Sequence, residues 1–240
     1  MRIAVVSDIH GNLTALEAVL ADLRRASPDL ILHGGDLAHG GASPAEVVDR
    51  IRELGWPGVL GNTDEMLFAP QALTEFAASS SPSFQPLFAL IEEMAAWTRH
   101  QLGDERIAWL RTLPQTHSHA PIALVHASPG SLWRAPAPEA GDAELEHVYR
   151  TLGQPIAVYG HIHRPLVREL AGMTVVNTGS VSLSYDGDPR AAYLLVDEGK
   201  PVIRRVAYDI DAEARRIWES GTPHADWLAR TLASASFQMP

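Results

Sequence analysis

The sequence predicts an α/β fold with a helical insert, on three observations. Short apolar runs alternate with amphipathic stretches near the N-terminus, five of the apolar runs end in a polar cluster, and the later part is dense in β-branched runs. Residues 65 to about 115 interrupt the alternation and read as helix.

Ile3-Ala4-Val5-Val6 reads as a buried strand, and Leu13, Leu16, Leu20 and Leu23 then fall on roughly one face of a helix. Leu30-Ile31-Leu32 is a second strand, closed by Gly34-Gly35-Asp36. Ser43-Pro44-Ala45-Glu46 carries the N-cap, the N1 proline and the capping-box glutamate of a helix start. Val47, Val48, Ile51 and Leu54 supply that helix's apolar face, and Gly55 stops it. Val59-Leu60 reads as a third strand, leading into Gly61-Asn62. This rhythm argues for parallel strands with polar residues gathered at their C-terminal ends, where open α/β sheets place ligands.

In the insert, Phe68, Phe76, Phe84, Phe88, Trp97 and Trp109 are spread through helical stretches around a Ser-rich turn at Ser79–Ser83. Most of these aromatics read as packing. Strands are expected at Ile122–Val125, Ile156–Tyr159, Val175-Val176, Ala192–Val196 and Val202–Val206, with Asp186-Gly187-Asp188-Pro189 as a turn between two of them. Helical patterning returns over about 211–232, and Ala233 to Pro240 reads as a loose tail. There is no internal repeat, and one domain spanning 1–240 is expected.

Nineteen basic residues against 29 acidic ones give a formal charge of −10. That balance excludes holding nucleic acid through non-specific phosphate contacts. The chain has no cysteine, which excludes disulfides and thiolate metal sites. The N-terminus shows no signal-peptide pattern, and no apolar stretch is long enough to span a bilayer, so a cytoplasmic protein without membrane attachment is expected.

The polar clusters carry the chemistry. Asp8 and His10 flank one residue at a strand end, so both side chains are able to converge on one ion. Gly34 and Gly35 let the backbone turn sharply at Asp36, whose two oxygens suit a shared position between two cations. Singly, Gly-Gly-Asp is a turn, Asn62 is a turn former and His126 is a hydrogen-bonded core histidine. Gly160-His161-Ile162-His163 has fewer structural reasons to exist, since it sets two imidazoles one residue apart after an apolar strand. Imidazoles, carboxylates and one amide oxygen together suit a pair of first-row divalent metals with water between them. Without thiolates the choice is manganese, iron, zinc or nickel, with manganese favoured.

In this order the motifs D-x-H, G-G-D, G-N-x-[DE], H and G-H-x-H resemble the calcineurin-like metallophosphoesterase family over residues 1 to about 210, and within it the small bacterial and archaeal phosphodiesterases. The resemblance implies two β-sheets packed together, helices on both outer faces and a dinuclear centre along one edge. One metal is then expected at Asp8, His10, Asp36 and His163, and the other at Asp36, Asn62, His126 and His161. It also implies hydrolysis of phosphodiester bonds in a small substrate by a metal-bridging hydroxide, without a covalent intermediate.

One position departs from the family pattern, which commonly has histidine directly after the asparagine. Here Thr63 follows Asn62, and Asp64 comes next. Thr63 is able to donate a hydrogen bond to the phosphate but is a poor proton donor. The catalytic set is therefore Asp36 and Asn62, with His39 as an alternative proton source; its ordinary reading is an exposed loop histidine. Arg164, beside His163, is better placed than Arg134 or Arg190 to contact the substrate. Two alternatives are a phosphomonoesterase or dinucleoside-polyphosphate hydrolase on the same scaffold, and a non-catalytic binding module. The intact ligand set favours an enzyme. The aromatic insert offers either a lid or a surface for a homo-oligomer.

Overall fold

A computed structural model describes residues 1–240. The chain runs β1 (Arg2–Val6), α1 (Leu13–Ala26), β2 (Leu30–His33), α2 (Pro44–Leu54), α3 (Asn62–Glu65), α4 (Gln71–Ala78) and α5 (Gln85–Leu110). It continues through β3 (Thr116–His119), β4 (Ile122–Val125), α6 (Asp142–Tyr149), β5 (Ile156–Tyr159), β6 (Leu166–Leu170), β7 (Met173–Asn177), β8 (Ala191–Asp197), β9 (Lys200–Val206), α7 (Ile210–Ser220) and α8 (Ala225–Ser234). Two sheets form, in the orders β2-β1-β8-β9 and β3-β4-β5-β7-β6.

Strand alternation sets the layers. Ile3 and Val5 of β1 face the second sheet and meet Ile122 and Leu124 of β4 and Ile156 and Val158 of β5. Their neighbours Ala4 and Val6 face outward, onto Leu16, Val19 and Leu20 of α1. On the far side Ala157 and Tyr159 pack against Leu145 and Tyr149 of α6. Strands buried on both faces must be apolar at every position, which is why these runs stood out in the sequence. Each fully buried Ile, Val or Leu contributes about 1.5–3 kcal/mol, so the two sheets are held face to face with little polar contact. The N-terminal half of α5 joins α7 and α8 through Leu90, Met94, Ile217, Leu228 and Leu232. No helix is long and apolar enough to cross a membrane.

Several expectations are corrected. The parallel core is real for β1/β2, β4/β5 and β5/β7, but β8 joins β1 antiparallel, and β3/β4 and β6/β7 are antiparallel too, so both sheets are mixed. Val59-Leu60 is not a strand. The segment makes one bridge, Gly58 to His33, and then leaves the ladder for Asn62. A Cβ on Gly58 would fall 2.3 Å from the His33 ring and carbonyl, so only glycine approaches there. Ser43 stands at the N-cap of α2 with Pro44 after it, as expected, but its side chain makes no capping bond; its hydroxyl accepts from Arg216 at 2.8 Å. The C-terminal residues are not loose. The Ala235 carbonyl accepts from the Gly187 N–H at 2.9 Å, and Phe237 stands edge-on to Tyr185 and Phe84. Of the elements sequence reading missed, β3 and β6 are largely exposed edge strands, and α6 buries only Leu145 and Tyr149.

His33 closes β2 with both ring nitrogens buried and unpartnered. Burial, with some help from His117, pushes its imidazole down from 6.5 to about 3. The folded ring therefore stays neutral where the unfolded chain takes up a proton. Its contribution is complete above the upper value and is lost as pH falls between the two. His33→Leu is expected to lose less stability than the parent on acidification, by about a few kcal/mol, in urea titrations of metal-free protein. Equal acid sensitivity in the two proteins would place the penalty elsewhere.

Candidate metal centre

All seven predicted ligand residues meet at one end of the two sheets. Asp8 and His10 follow β1, Asp36 follows β2, Asn62 opens α3, His126 follows β4, and His161 and His163 follow β5. Parallel pairing brings these C-terminal ends side by side. The loops are then joined by their backbones, Asp8 N–H to the Gly35 carbonyl at 3.1 Å and Gly160 N–H to the His126 carbonyl at 2.9 Å. Links also cross between the sheets. The His161 N–H donates to Asp8 Oδ1 at 3.1 Å, and the Val181 N–H to the Ser7 carbonyl at 3.1 Å.

Five of the seven, Asp8, His10, Asp36, His161 and His163, have positive φ between 49° and 68°. Asp, Asn and His tolerate this left-handed region better than most residues, yet each instance still costs about 1–2 kcal/mol. Missing side chains make the close approach possible. A Cβ on Gly61 would lie 2.0 Å from Asp36 Oδ1, and one on Gly160 would lie 2.3 Å from Asp8 Oδ2. Asp64 ties the two loops beside Asp36, accepting from the Leu37 N–H at 2.9 Å and the Gly61 N–H at 3.3 Å. Burial and the adjacent Asp36 charge push its carboxyl up to about 7.

The histidine hydrogen bonds fix what the site wants. The Nδ1 of His10 donates to the His39 carbonyl at 2.6 Å and that of His126 to the Gly34 carbonyl at 2.8 Å; His163 Nδ1 donates to the Leu183 carbonyl. A carbonyl only accepts, so each Nδ1 carries a proton, and each ring in its neutral form turns an Nε2 lone pair inward. His10 Nε2 and His163 Nε2 then face each other at 3.1 Å, and His126 Nε2 faces Asn62 Oδ1 at 2.8 Å. His161 Nδ1 reaches the same Asn62 oxygen at 2.9 Å. Lone pair against lone pair in a buried space calls for a proton or a cation between them.

Ligand atoms of Asp8, His10, Asp36 and His163 all lie within 4.8 Å of one another, a group able to hold a metal ion. Asp36 Oδ1 is also 3.5 Å from His126 Nε2, so Asp36 touches both groups of donors. Although burial opposes it, the Asp36 and Asp8 carboxylates push His126 up to about 9. Burial and the charge of His126 pull His161 down to about 4. Burial likewise opposes ionisation of Asp8 and Asp36, but the neighbouring imidazoles hold both carboxyls below the usual range. The donor set therefore fits divalent cations: hard carboxylates, braced imidazoles and a neutral amide oxygen.

Beside the ligands lies a cavity of about 250 Å³. Thr63 and His39 line it where it meets the ligands. The Thr63 N–H donates to Asp36 Oδ1 at 2.9 Å, and its buried hydroxyl has no partner. His39 is buried rather than exposed on a loop. Burial and nearby His10 lower its imidazole to about 3, and its Nδ1 is unpartnered. Arg164 lies outside this lining, where its Nε donates to the Tyr185 carbonyl at 2.9 Å and Nη1 approaches Glu139. Arg134 reaches Ser79, and Arg190 pairs with Asp188.

Sequence reading gave no role to Asn177–Ser180 or Tyr185. Ser180 Oγ donates to the Asp8 carbonyl at 2.9 Å, Asn177 Nδ2 donates to the Gly160 carbonyl, and the Tyr185 ring stacks on His163 at 4.7 Å. These are contacts between distant parts of the chain, and no local pattern announces them.

Residues 1–200 match a family described as the calcineurin-like phosphoesterase superfamily domain. The chain is 30% identical to the uncharacterized protein MJ0912 of Methanocaldococcus jannaschii, over 96% of each chain. It is 28% identical to phosphodiesterase YfcE of Escherichia coli, over 82% of this chain and 88% of that one. The crystal structure of a metallophosphoesterase from Sphaerobacter thermophilus superposes with a TM-score of 0.80 at 28% identity, covering 98% of this chain and 99% of that one.

The Gly160 approach gives a direct test of the site's geometry. Gly160→Ala is expected to push the Asp8 carboxylate aside and to weaken manganese binding by at least about tenfold, with far-UV circular dichroism unchanged. Metal content after equilibrium dialysis reads the effect, and full retention in a folded variant would show that Asp8 is not needed.

Proposed function

The chain belongs to the calcineurin-like phosphoesterase superfamily, and on that premise we propose that it hydrolyses phosphoesters, diesters in preference to monoesters, at two divalent cations, manganese being favoured. Asp8, His10, Asp36 and His163 would hold one cation, and Asp36, Asn62, His126 and His161 would hold the other. The observation that carries this reading is the set of braced imidazoles turning their Nε2 atoms toward two buried carboxylates. The cations, when bound, supply Lewis acidity that activates water near neutral pH and offsets negative charge on the phosphoryl oxygens.

The protein's own residues do the rest. Asp36, reaching both donor groups, fixes their separation, while the neutral Asn62 oxygen adds a ligand without adding charge. The unpartnered Thr63 hydroxyl donates to a phosphoryl oxygen. Thr63 does not deliver a proton, so esters with good leaving groups react best. His39 Nδ1, also unpartnered and in the same cavity, is the group placed to hydrogen-bond the departing oxygen.

Metal-stripped protein given manganese is expected to cleave bis-p-nitrophenyl phosphate faster than p-nitrophenyl phosphate. Asp36→Asn should lower kcat/KM by at least about a hundredfold and Thr63→Val by about tenfold. Faster monoester cleavage would reverse the assigned preference. Manganese-loaded protein that cleaves neither substrate would remove the hydrolase reading.

A further inference from the structure

The cavity beside the ligands has two kinds of wall. Where it meets the cation ligands it is polar, and there His39 and Thr63 carry unpartnered buried atoms. The remainder is hydrocarbon and aromatic, with Phe76, Phe88, Met94, Trp133, Trp227 and Phe237 among its residues. No lysine or arginine lines it, and Asp36 is its one carboxylate.

Both tryptophan N–H groups of the aromatic wall are already used, which leaves the Tyr185 hydroxyl as its one polar side-chain atom without a hydrogen bond. Trp133 Nε1 donates to Glu65 Oε2 at 2.6 Å, and Trp227 Nε1 donates to the Gln238 carbonyl at 3.2 Å. Arginines bonded near the cavity are engaged outside the lining, Arg134 with Ser79, Arg164 with the Tyr185 carbonyl and Arg99 with the Met66 carbonyl. A nucleobase seated here would meet only the Tyr185 hydroxyl on the aromatic wall, too little for its several ring nitrogens and exocyclic groups, at a penalty for each one left unpaired. A second or third phosphate would find no cation on the protein to meet it. A hydrocarbon group loses nothing by entering, and the wall gains by being covered. Phe237 of the C-terminal segment is part of this wall and stands edge-on to Tyr185 and Phe84.

We propose that the substrates are phosphodiesters bearing a hydrocarbon ester group, which lies in this apolar cavity while the phosphate sits at its polar end beside Thr63 and His39. The proposal rests on the phosphoesterase reading and narrows its substrate class. Continuity of the apolar wall with the ligand end identifies the occupant as part of the ester.

The test uses alkyl p-nitrophenyl phosphates from methyl to octyl with manganese-loaded protein. In each, water oxygen bonds to phosphorus and the P–O bond to p-nitrophenol breaks. Alkyl phosphate and p-nitrophenolate leave, and the protons pass to solvent. The kcat/KM is expected to rise about threefold to fourfold per methylene until the cavity is filled. An independent readout follows quenching of Trp133 and Trp227 by ethyl, butyl and octyl phosphate in metal-free protein, where Kd should fall by a similar factor per methylene. Phe237→Ala, at the end of the chain, should cut the octyl-to-methyl ratio of kcat/KM by at least about fivefold. A flat or falling series, or faster turnover of a dinucleoside tetraphosphate or a cyclic nucleotide than of the octyl ester, would overturn the proposal while keeping the hydrolase. Chain-length-dependent binding without cleavage of any ester would support the apolar site and remove the hydrolase reading.

Discussion

Two buried carboxylates and three imidazoles with their lone pairs turned inward cannot share so small a space without positive charge among them. The demand is set by backbone carbonyls, since the bonds from His10, His126 and His163 to the carbonyls of His39, Gly34 and Leu183 decide the tautomers. Once the Nδ1 positions are fixed, His10 Nε2 and His163 Nε2 are held 3.1 Å apart with nothing of their own to place between them. The high pKa of His126 expresses the same demand for charge in the metal-free protein.

Much of the surrounding architecture is arranged to hold these groups where they do not relax. Left-handed backbone at Asp8, His10, Asp36, His161 and His163 is unfavourable in isolation, and glycines at 61 and 160 leave the space in which the Asp36 and Asp8 carboxylates lie against the backbone. The fold stabilises this strain with two sheets whose facing surfaces are almost wholly aliphatic. Cation binding then returns part of what the strained loops cost, because the ions bind the folded arrangement and not the unfolded chain.

The parts legible in the sequence are those encoded locally. Continuous apolar runs marked β1, β4 and β5 because these strands are buried on both faces, and the half-buried edge strand β2 carries a similar run; Asp8-Ile9-His10 or His161-Ile162-His163 carry their chemistry within three residues. Val59-Leu60 misled because an apolar pair beside a sheet need not stay in the ladder when the next residue must reach Asp36. Edge strand β3 reads Thr-His-Ser-His and offers no apolar alternation at all. The carbonyl braces, the Ser180 bond to Asp8 and the packing of Phe237 on Tyr185 join residues far apart in the chain. Local spacing carries no trace of such pairs. For the same reason the aromatics of the insert read as packing, although Phe76 and Phe88 line the cavity next to the ligands.

The polar ligand end and the apolar cavity make a consistent pair, the first suited to a phosphate and the second to what the phosphate carries. The whole account depends on two cations sharing Asp36. Anomalous diffraction from crystals soaked in manganese tests this most directly. Two peaks are expected, one among Asp8, His10, Asp36 and His163 and one among Asp36, Asn62, His126 and His161. A single peak, or none at saturating manganese, would contradict it.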